Sequence, residues 1–323
     1  MRHRLARLTE IAGLTALLAA PLAAQQPLVR SPRGIGFLRG VVYDSLLHGP
    51  LDSARVYIAG TAISTVTDEG GRYRLDSVPA GSQILVFEHD DLDSAGFTSN
   101  MRRVEVPAGR ITLVDLAVPS LATVHRAACT VGLRPGDRDS GIVYGSVVET
   151  RTGARLARAR VNVTWVRAGR GSDGRVQVSR PGLQAVTDSV GNYYVCGVPT
   201  EYVVTVMAGA GSFMTGRTEL LLGRRAVARR DLTLSLDSLQ LPDSSGARHG
   251  TAVVKGRVLD EHGAPRPSAR LSVDEAAGEA YSDADGRFVL NGQPSGSQML
   301  MARMVGYWRR TCPSCCAITT RRW

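Results

Sequence analysis

Apolar and polar residues alternate one by one along most of this chain, the signature of strands with one buried face. In "RVYIAG" (Arg55 to Gly60), Val56 and Ile58 share one face and Tyr57 takes the other. In "GRYRLD", Tyr73 and Leu75 point inward while Arg72 and Arg74 point outward, and "GRFVLN" does the same with Phe288 and Leu290. The strands run five to eight residues between Gly, Pro and Asp turns. The pattern predicts an all-β chain of β-sandwich modules. No amphipathic stretch of helical length competes with it beyond the first residues.

The strands recur in a frame. "TDEGGRYRLDSVPAG" begins at Thr67, "TDSVGNYYVCGVPT" at Thr187 and "SDADGRFVLNGQPSG" at Ser282. The shared positions are Asp68, Gly71, Tyr73 and Pro79; Asp188, Gly191, Tyr193 and Pro199; Asp283, Gly286, Phe288 and Pro294. Each copy opens on a Gly and an apolar run, "GVVYDS" at Gly40, "GSVVET" at Gly145 and "GRVLDE" at Gly256. From that Gly to a buried-type Ala (Ala54, Ala159, Ala269) the distance is 14, 14 and 13 residues. From the Gly to the frame Asp it is 28, 43 and 27, so the second copy carries an insertion near 167–182. Such self-similarity means tandem modules, too long per unit for a solenoid.

Hairpin chemistry explains the frame. The Asp carboxylate can accept from amides two or three residues ahead, and the Gly supplies the positive φ that closes the turn. The aromatic is the first inward residue of the next strand, and the Pro presets the first corner of the following turn. The second copy has Thr200 and Glu201 where the first and third have a Gly two residues after the Pro, so its turn should differ.

Together these residues (G-x-V-x-D, then A-x-V, then T-D-x-x-G-x-Y/F and a Pro) resemble the carboxypeptidase regulatory-like domain. The resemblance covers about 36–119, 138–237 and 251–308. It implies tandem Ig-like or transthyretin-like β-sandwiches of about seven strands. It also implies the settings of that family: beside metallocarboxypeptidase domains, ahead of TonB-dependent receptor plugs, or as arrays in exported bacterial proteins. Starch-binding-like folds share the architecture, which makes carbohydrate a ligand by analogy. The peptidase chemistry belongs to a separate zinc domain, and nothing like its ligand set is present.

The third copy departs from the pattern. After "MLMARMVGYW" two more strands are due, as "RRVEVPAG" and "RITLVDLAVPS" supply in the first copy. The chain reads "RRTCPSCCAITTRRW" instead, and its alternation vanishes. The third sandwich is therefore expected to be incomplete, and 309–323 to be an aberrant tail from a frame error or truncated gene. The expected organisation is a leader (1–24), modules at 36–119, 128–237 and 251–308, and linkers at about 120–137 and 238–250.

Composition narrows the picture at the ends. "MRHRLAR", an apolar run of about a dozen residues and "LAAQQ" read as a signal peptide cleaved after Ala24. No Cys follows to take a lipid, and no later segment approaches 18 uninterrupted apolar residues, so the mature chain should lack a transmembrane segment and be exported to the periplasm, the outer-membrane surface or the exterior. Of the net charge of +10, the leader carries +2 and the segment from Arg309 +4, leaving an ordinary +4 for the body. Aromatics are 5%, so the cores should be built of Val, Leu, Ala and Ile. "GRRAVARR" (Gly223 to Arg230) is the one dense basic run and reads as a solvated strand edge or turn, which argues against nucleic acid as a partner.

Candidate chemistry is sparse. Cys129 lies ahead of the second module and Cys196 on the outer face of its "NYYVC" strand, where the other copies have Asp76 and Asn291; an arm crossing that face would be stapled by a disulfide. "CPSCC" (Cys312, Cys315, Cys316) has neither the setting of a redox motif nor a nearby His to complete a zinc site. Asp90, Asp91 and Asp93 form an acidic loop, the only calcium candidates, without EF-hand spacing. His3, His48, His89, His125, His249 and His262 fall in no catalytic spacing, and no nucleophile elbow or phosphate loop appears. Asn162-Val163-Thr164 matches a glycosylation triplet but falls in a strand. Trp165, beside the insertion, is the ligand candidate for a glycan. The sequence thus reads as a non-catalytic exported array with no cofactor, a binding and spacing module for protein or glycan at the cell envelope. Two alternatives stand beside it: the N-terminal part of a TonB-dependent outer-membrane receptor, and the accessory region of a metallocarboxypeptidase.

Overall fold

In the computed structural model, which describes residues 34–304 except 94, 98–99, 130–139 and 171–173, the alternating stretches are strands and their apolar faces are the cores. The leader, the tail 309–323 and its three cysteines lie outside the described residues. No helix among the described residues is long and apolar enough to cross a membrane.

The first module contains β1 (Ile35–Asp44), β2 (Gly49–Pro50), β3 (Arg55–Ile58), β4 (Ser64–Val66), β5 (Arg72–Pro79), β6 (Gly81–Glu88), a short helix α1 (Asp90–Asp93), β7 (Asn100–Val106), β8 (Ile111–Leu113) and β9 (Leu116–Ala117). One sheet is β2-β1-β5, with β8 and β9 running parallel to β1 on its free edge. The other is β4-β3-β6-β7. Leu38, Val42, Val56, Ile58, Tyr73, Leu75, Leu85 and Phe87 fill the space between them.

Helix α2 (Leu121–Ala128) leads to the second module: β10 (Ser140–Glu149), β11 (Arg160–Trp165), β12 (Arg167–Arg170), β13 (Val176–Ser179), β14 (Gly182–Val186), β15 (Asn192–Pro199), β16 (Val203–Ala210), β17 (Phe213–Met214), β18 (Thr218–Leu221), β19 (Val227–Arg229) and β20 (Leu232–Leu234). The plan is the same: β15-β10 with β19 and β20 parallel to β10, facing β14-β11-β16 with β17 and β18. The added β12-β13 hairpin belongs to neither sheet.

The third module contributes β21 (Ala252–Arg257), β22 (Arg270–Val273), β23 (Ala280–Tyr281), β24 (Arg287–Gln293) and β25 (Leu300–Arg303). They form β21-β24 and β23-β22-β25. Among the described residues there is no counterpart of β7, β8 or β9. Among the described residues the third core accordingly has six buried residues, against twenty and sixteen in the first two.

Two details differ from the sequence reading. Residues 121–128, read as part of a linker with no helix expected, are helical; Ser120 caps the helix by accepting from the Thr123 amide at 3.3 Å. Pro79 and Pro199 are themselves strand residues, and the chain bends at the residue after each. They end their strands, paired with Ile35 and Ser140, one residue after a bulge. That bulge is held by a left-handed residue in every copy: Ser77 (φ 59°), Gly197 (φ 84°) and Gly292 (φ 71°).

Candidate functional site

The repeated frame is a hydrogen-bonded turn built identically three times. The Asp68 carboxylate accepts from the amides of Gly70 (2.9 Å) and Arg72 (2.8 Å). Asp188 does so from Val190 and Asn192, and Asp283 from Asp285 and Arg287. The partners are thus two and four residues ahead rather than two or three, because the left-handed glycine between them folds the chain back toward the carboxylate. Gly71, Gly191 and Gly286 have φ of 69°, 76° and 76°.

The residue before the Asp was missed in the sequence. The buried Thr67 hydroxyl accepts from the Ala54 amide (2.8 Å) and donates to the Leu51 carbonyl (2.7 Å). Thr187 bridges Ala159 and Leu156, and Ser282 bridges Ala269 and Arg266, in the same way. The recurring Thr/Ser was the available signal: a small hydroxyl at a fixed place beside a buried strand is there to satisfy backbone.

A second repeated device closes the sandwich in modules one and two. The Tyr73 hydroxyl donates to the Val114 carbonyl at 2.7 Å, and Tyr193 to the Arg230 carbonyl. Burial pushes both phenols well above their ordinary pKa of 10. Asp115 and Asp231 accept from the amides of Val41 and Ser146, both at 2.9 Å. Gly40 and Gly145 leave the space: a Cβ there would sit 1.9 Å from the Val114 oxygen and 2.2 Å from the Arg230 oxygen. The third module has Phe288 in place of the Tyr. A Cβ on its Gly256 would meet the Phe288 ring first, at 2.7 Å.

The modules are joined by built junctions. Between the first and second, the Arg225 guanidinium reaches the buried Asp44 carboxylate at 3.0 Å and Asp91 at 3.7 Å. The Tyr144 hydroxyl donates to the Ala95 carbonyl at 2.9 Å, its ring stacks on Tyr194, and Val227 enters the first core. "GRRAVARR" is therefore no solvated edge: its Arg225 and Val227 are junction residues. Between the second and third modules, Ser297 donates its amide to Thr233 and accepts from Gly216, both at 2.8 Å, while Arg217 pairs with Asp274 (2.7 Å) and Glu275 (2.8 Å). A cavity of about 170 Å³ lies at this second junction, lined by Phe213, Met214, Leu241, Arg248 and Glu275 among others. It falls short of the roughly 300–1,000 Å³ of ordinary small-molecule sites.

Cys129 and Cys196 form a disulfide, with Cα atoms 6.2 Å apart across a separation of 67 residues. It ties the end of α2 to β15. Closing a loop of that length stabilises by roughly 4 kcal/mol in the chain-entropy model. The buried His125 lies beside it, with a ring nitrogen and the two sulfurs within 4.8 Å of one another. With both sulfurs bonded to each other, this group offers a metal one imidazole only.

The remaining sequence candidates sit as follows. Asp90, Asp91 and Asp93 occupy the single turn of α1 rather than a loop; Asp91 faces Arg225, and the three carboxylates do not converge on one point that could hold an ion. Trp165 ends β11 at the base of the β12-β13 hairpin, half-buried against the second core. His48, His89, His249 and His262 are scattered; His249 pairs with Asp243 at 2.7 Å in the segment before module three.

Comparison with known proteins agrees with the repeat. The carboxypeptidase regulatory-like domain family matches residues 38–119 and 253–314, the first and third modules; the second match runs past Trp308 into the segment read as an aberrant tail. No curated protein matches the chain. Solved structures that match include the Bacillus anthracis TIE protein, at 11% identity and a TM-score of 0.24, covering 86% of this chain and 47% of that one. A point mutant of the shaft pilin SpaA from Lactobacillus rhamnosus GG follows at 10% identity and a TM-score of 0.23, covering 64% and 98%. The Klebsiella pneumoniae 5-hydroxyisourate hydrolase gives 18% identity and a TM-score of 0.20 over 26% and 89%. The chain spans about half the length of the first of these.

Proposed function

We propose that the chain, whose first and third modules match the carboxypeptidase regulatory-like domain family, is a non-catalytic strut. In this reading it is an exported array that holds a binding surface at a fixed distance and orientation at the cell envelope. The observation that supports it is the pair of junctions. A spacer of independent beads needs only linkers, whereas here the bond of Arg225 to the buried Asp44 carboxylate and backbone bonds through Ser297 tie each module to the next. Bending would break the Arg225–Asp44 bond and draw Val227 out of the first core, so the junction resists it. Small-angle scattering of the full chain tests this. The wild type should fit one fixed arrangement, and Arg225→Ala should fit only a flexible ensemble. A wild type as flexible as the variant would overturn the reading.

A glycan partner is the second reading, favoured by the place of Trp165 where the insertion leaves β11. Loss of polysaccharide binding on Trp165→Ala supports it, and no binding to any polysaccharide tested ends it. The receptor and peptidase alternatives make the same array a part of something larger. Coding sequence downstream separates them: a plug and barrel mean a receptor, a zinc-ligand domain a peptidase.

A further inference from the structure

The hairpin that only the second module carries has an unusual surface. Every residue of β12 and β13 is exposed, and the pair lies outside both sheets. Ala168 faces Val178 and Arg170 faces Val176 across the ladder. Cross-strand partners share a face, and side chains alternate along each strand. Val166, Ala168, Val176 and Val178 therefore line one face, with Arg170 and Arg180 at its two ends. The three valines are 54%, 70% and 64% exposed. The opposite face carries Arg167, Arg175, Gln177 and Ser179.

From Val166 to Arg180 the sequence has four Arg against the single acid Asp173, a net +3. No acidic side chain among the described residues pairs with Arg167, Arg170 or Arg180. Valine favours strand backbone in general, but three valines on one uncovered face also form a contiguous apolar stripe. A cationic rim around an apolar stripe is the pattern of a segment that lies in a lipid interface. An acidic polysaccharide would be met by the arginines alone and would leave the valine stripe uncovered.

We propose that the β12-β13 hairpin is a membrane-docking finger. Its Val166, Ala168, Val176 and Val178 enter the acyl boundary of an anionic lipid surface, and Arg170 and Arg180 meet the phosphates. The strut reading does not depend on this, since a rigid array can span without touching lipid.

The test is co-sedimentation of the full chain with vesicles of phosphatidylcholine alone and of phosphatidylcholine mixed with phosphatidylglycerol. Binding is expected to the anionic vesicles and to weaken with salt. Arg170→Gln and Arg180→Gln should each lower partitioning about fivefold. The pair Val176→Ser and Val178→Ser should lower it by about tenfold or more without changing net charge. A chain in which 167–180 is replaced by the short connection that residues 59–63 make between β3 and β4 of the first module should stay folded and lose binding. Absence of binding to anionic vesicles at low salt overturns the proposal, as does binding that survives loss of the hairpin. Indifference to the valine changes together with equal binding to polyglutamate also overturns it, and identifies an acidic polymer as the partner instead.

Discussion

Modules one and two close their sandwiches with a tyrosine, and module three has a phenylalanine in that place. In the first two, the last strand crosses over β1 or β10 through a gap left by Gly40 or Gly145, and Tyr73 or Tyr193 bonds the carbonyl at the crossing. Asp115 or Asp231 then takes an amide of the first strand. The third module keeps the glycine, Gly256, but Phe288 offers no hydroxyl, and its described residues hold no counterpart of Asp115 or Asp231. The turn frame and the closing latch are therefore separable. The Asp–Gly turn with its Thr or Ser is local and survives in all three copies, whereas the latch spans the module and is complete in two.

The largest effect expected from this difference is at the glycines. Gly40→Ala and Gly145→Ala would force a Cβ into a backbone carbonyl, and each should destabilise its module by about 3 kcal/mol. Gly256→Ala meets a side-chain ring that can tilt away, and should cost nearer ~1 kcal/mol. Denaturant unfolding of the three variants ranks them, and equal losses would erase the distinction.

Next come the tyrosines. Tyr73→Phe and Tyr193→Phe leave a buried carbonyl without its donor and should cost about 1–2 kcal/mol each. The same groups set an alkaline limit. Their folded pKa values are raised by burial above the unfolded value of 10. Their contribution is thus fully present below pH 10 and is lost as pH rises through the folded values. Modules one and two should loosen in alkali, and the two Phe variants should lose that sensitivity. In a chain with Trp308→Phe and Trp323→Phe, fluorescence of the remaining Trp165 follows it in the second module. A pH profile identical in Tyr193→Phe would contradict the assignment.

The smallest effect is at the bulge. Ser77 holds a left-handed conformation that the other copies give to Gly197 and Gly292. Relief of about 1–2 kcal/mol of backbone strain, less about 0.5–1 kcal/mol of glycine entropy, leaves Ser77→Gly stabilising by roughly 0.5 kcal/mol. A lower melting temperature would show that the serine is there for another reason.

Much of this fold was legible in the chain because period-2 alternation is set by which face is buried. Val56, Ile58, Tyr73, Leu75, Phe288 and Leu290 are all in cores. The Cys129–Cys196 bond was legible from parity, since an outer-face Cys in a strand can be reached only by a segment lying across that face. Helix α2 was not, because its eight residues make barely two turns and their helicity depends on the Ser120 cap and the tie to β15. The junctions were also hidden. Asp44 and Arg225 lie 181 residues apart, and no local pattern marks a pair that only tertiary packing brings together. The latch was half visible: the aromatic was read as a core residue, but its hydroxyl has a partner 41 residues away, between β8 and β9, whose position depends on the whole sandwich.

Native-state hydrogen exchange at matched positions of the first strands tests the central difference most directly. Phe37 and Ile142 donate their amides to the closing segment at 3.0 and 2.8 Å, and Val41 and Ser146 donate to its Asp. The equivalent amides of the third module are Val253 and Arg257. The account predicts that these two exchange at least about a hundredfold faster than their counterparts, as expected for opening of an unprotected edge. Equal protection in all three modules would contradict it, and would mean that a strand closes the third sandwich after all.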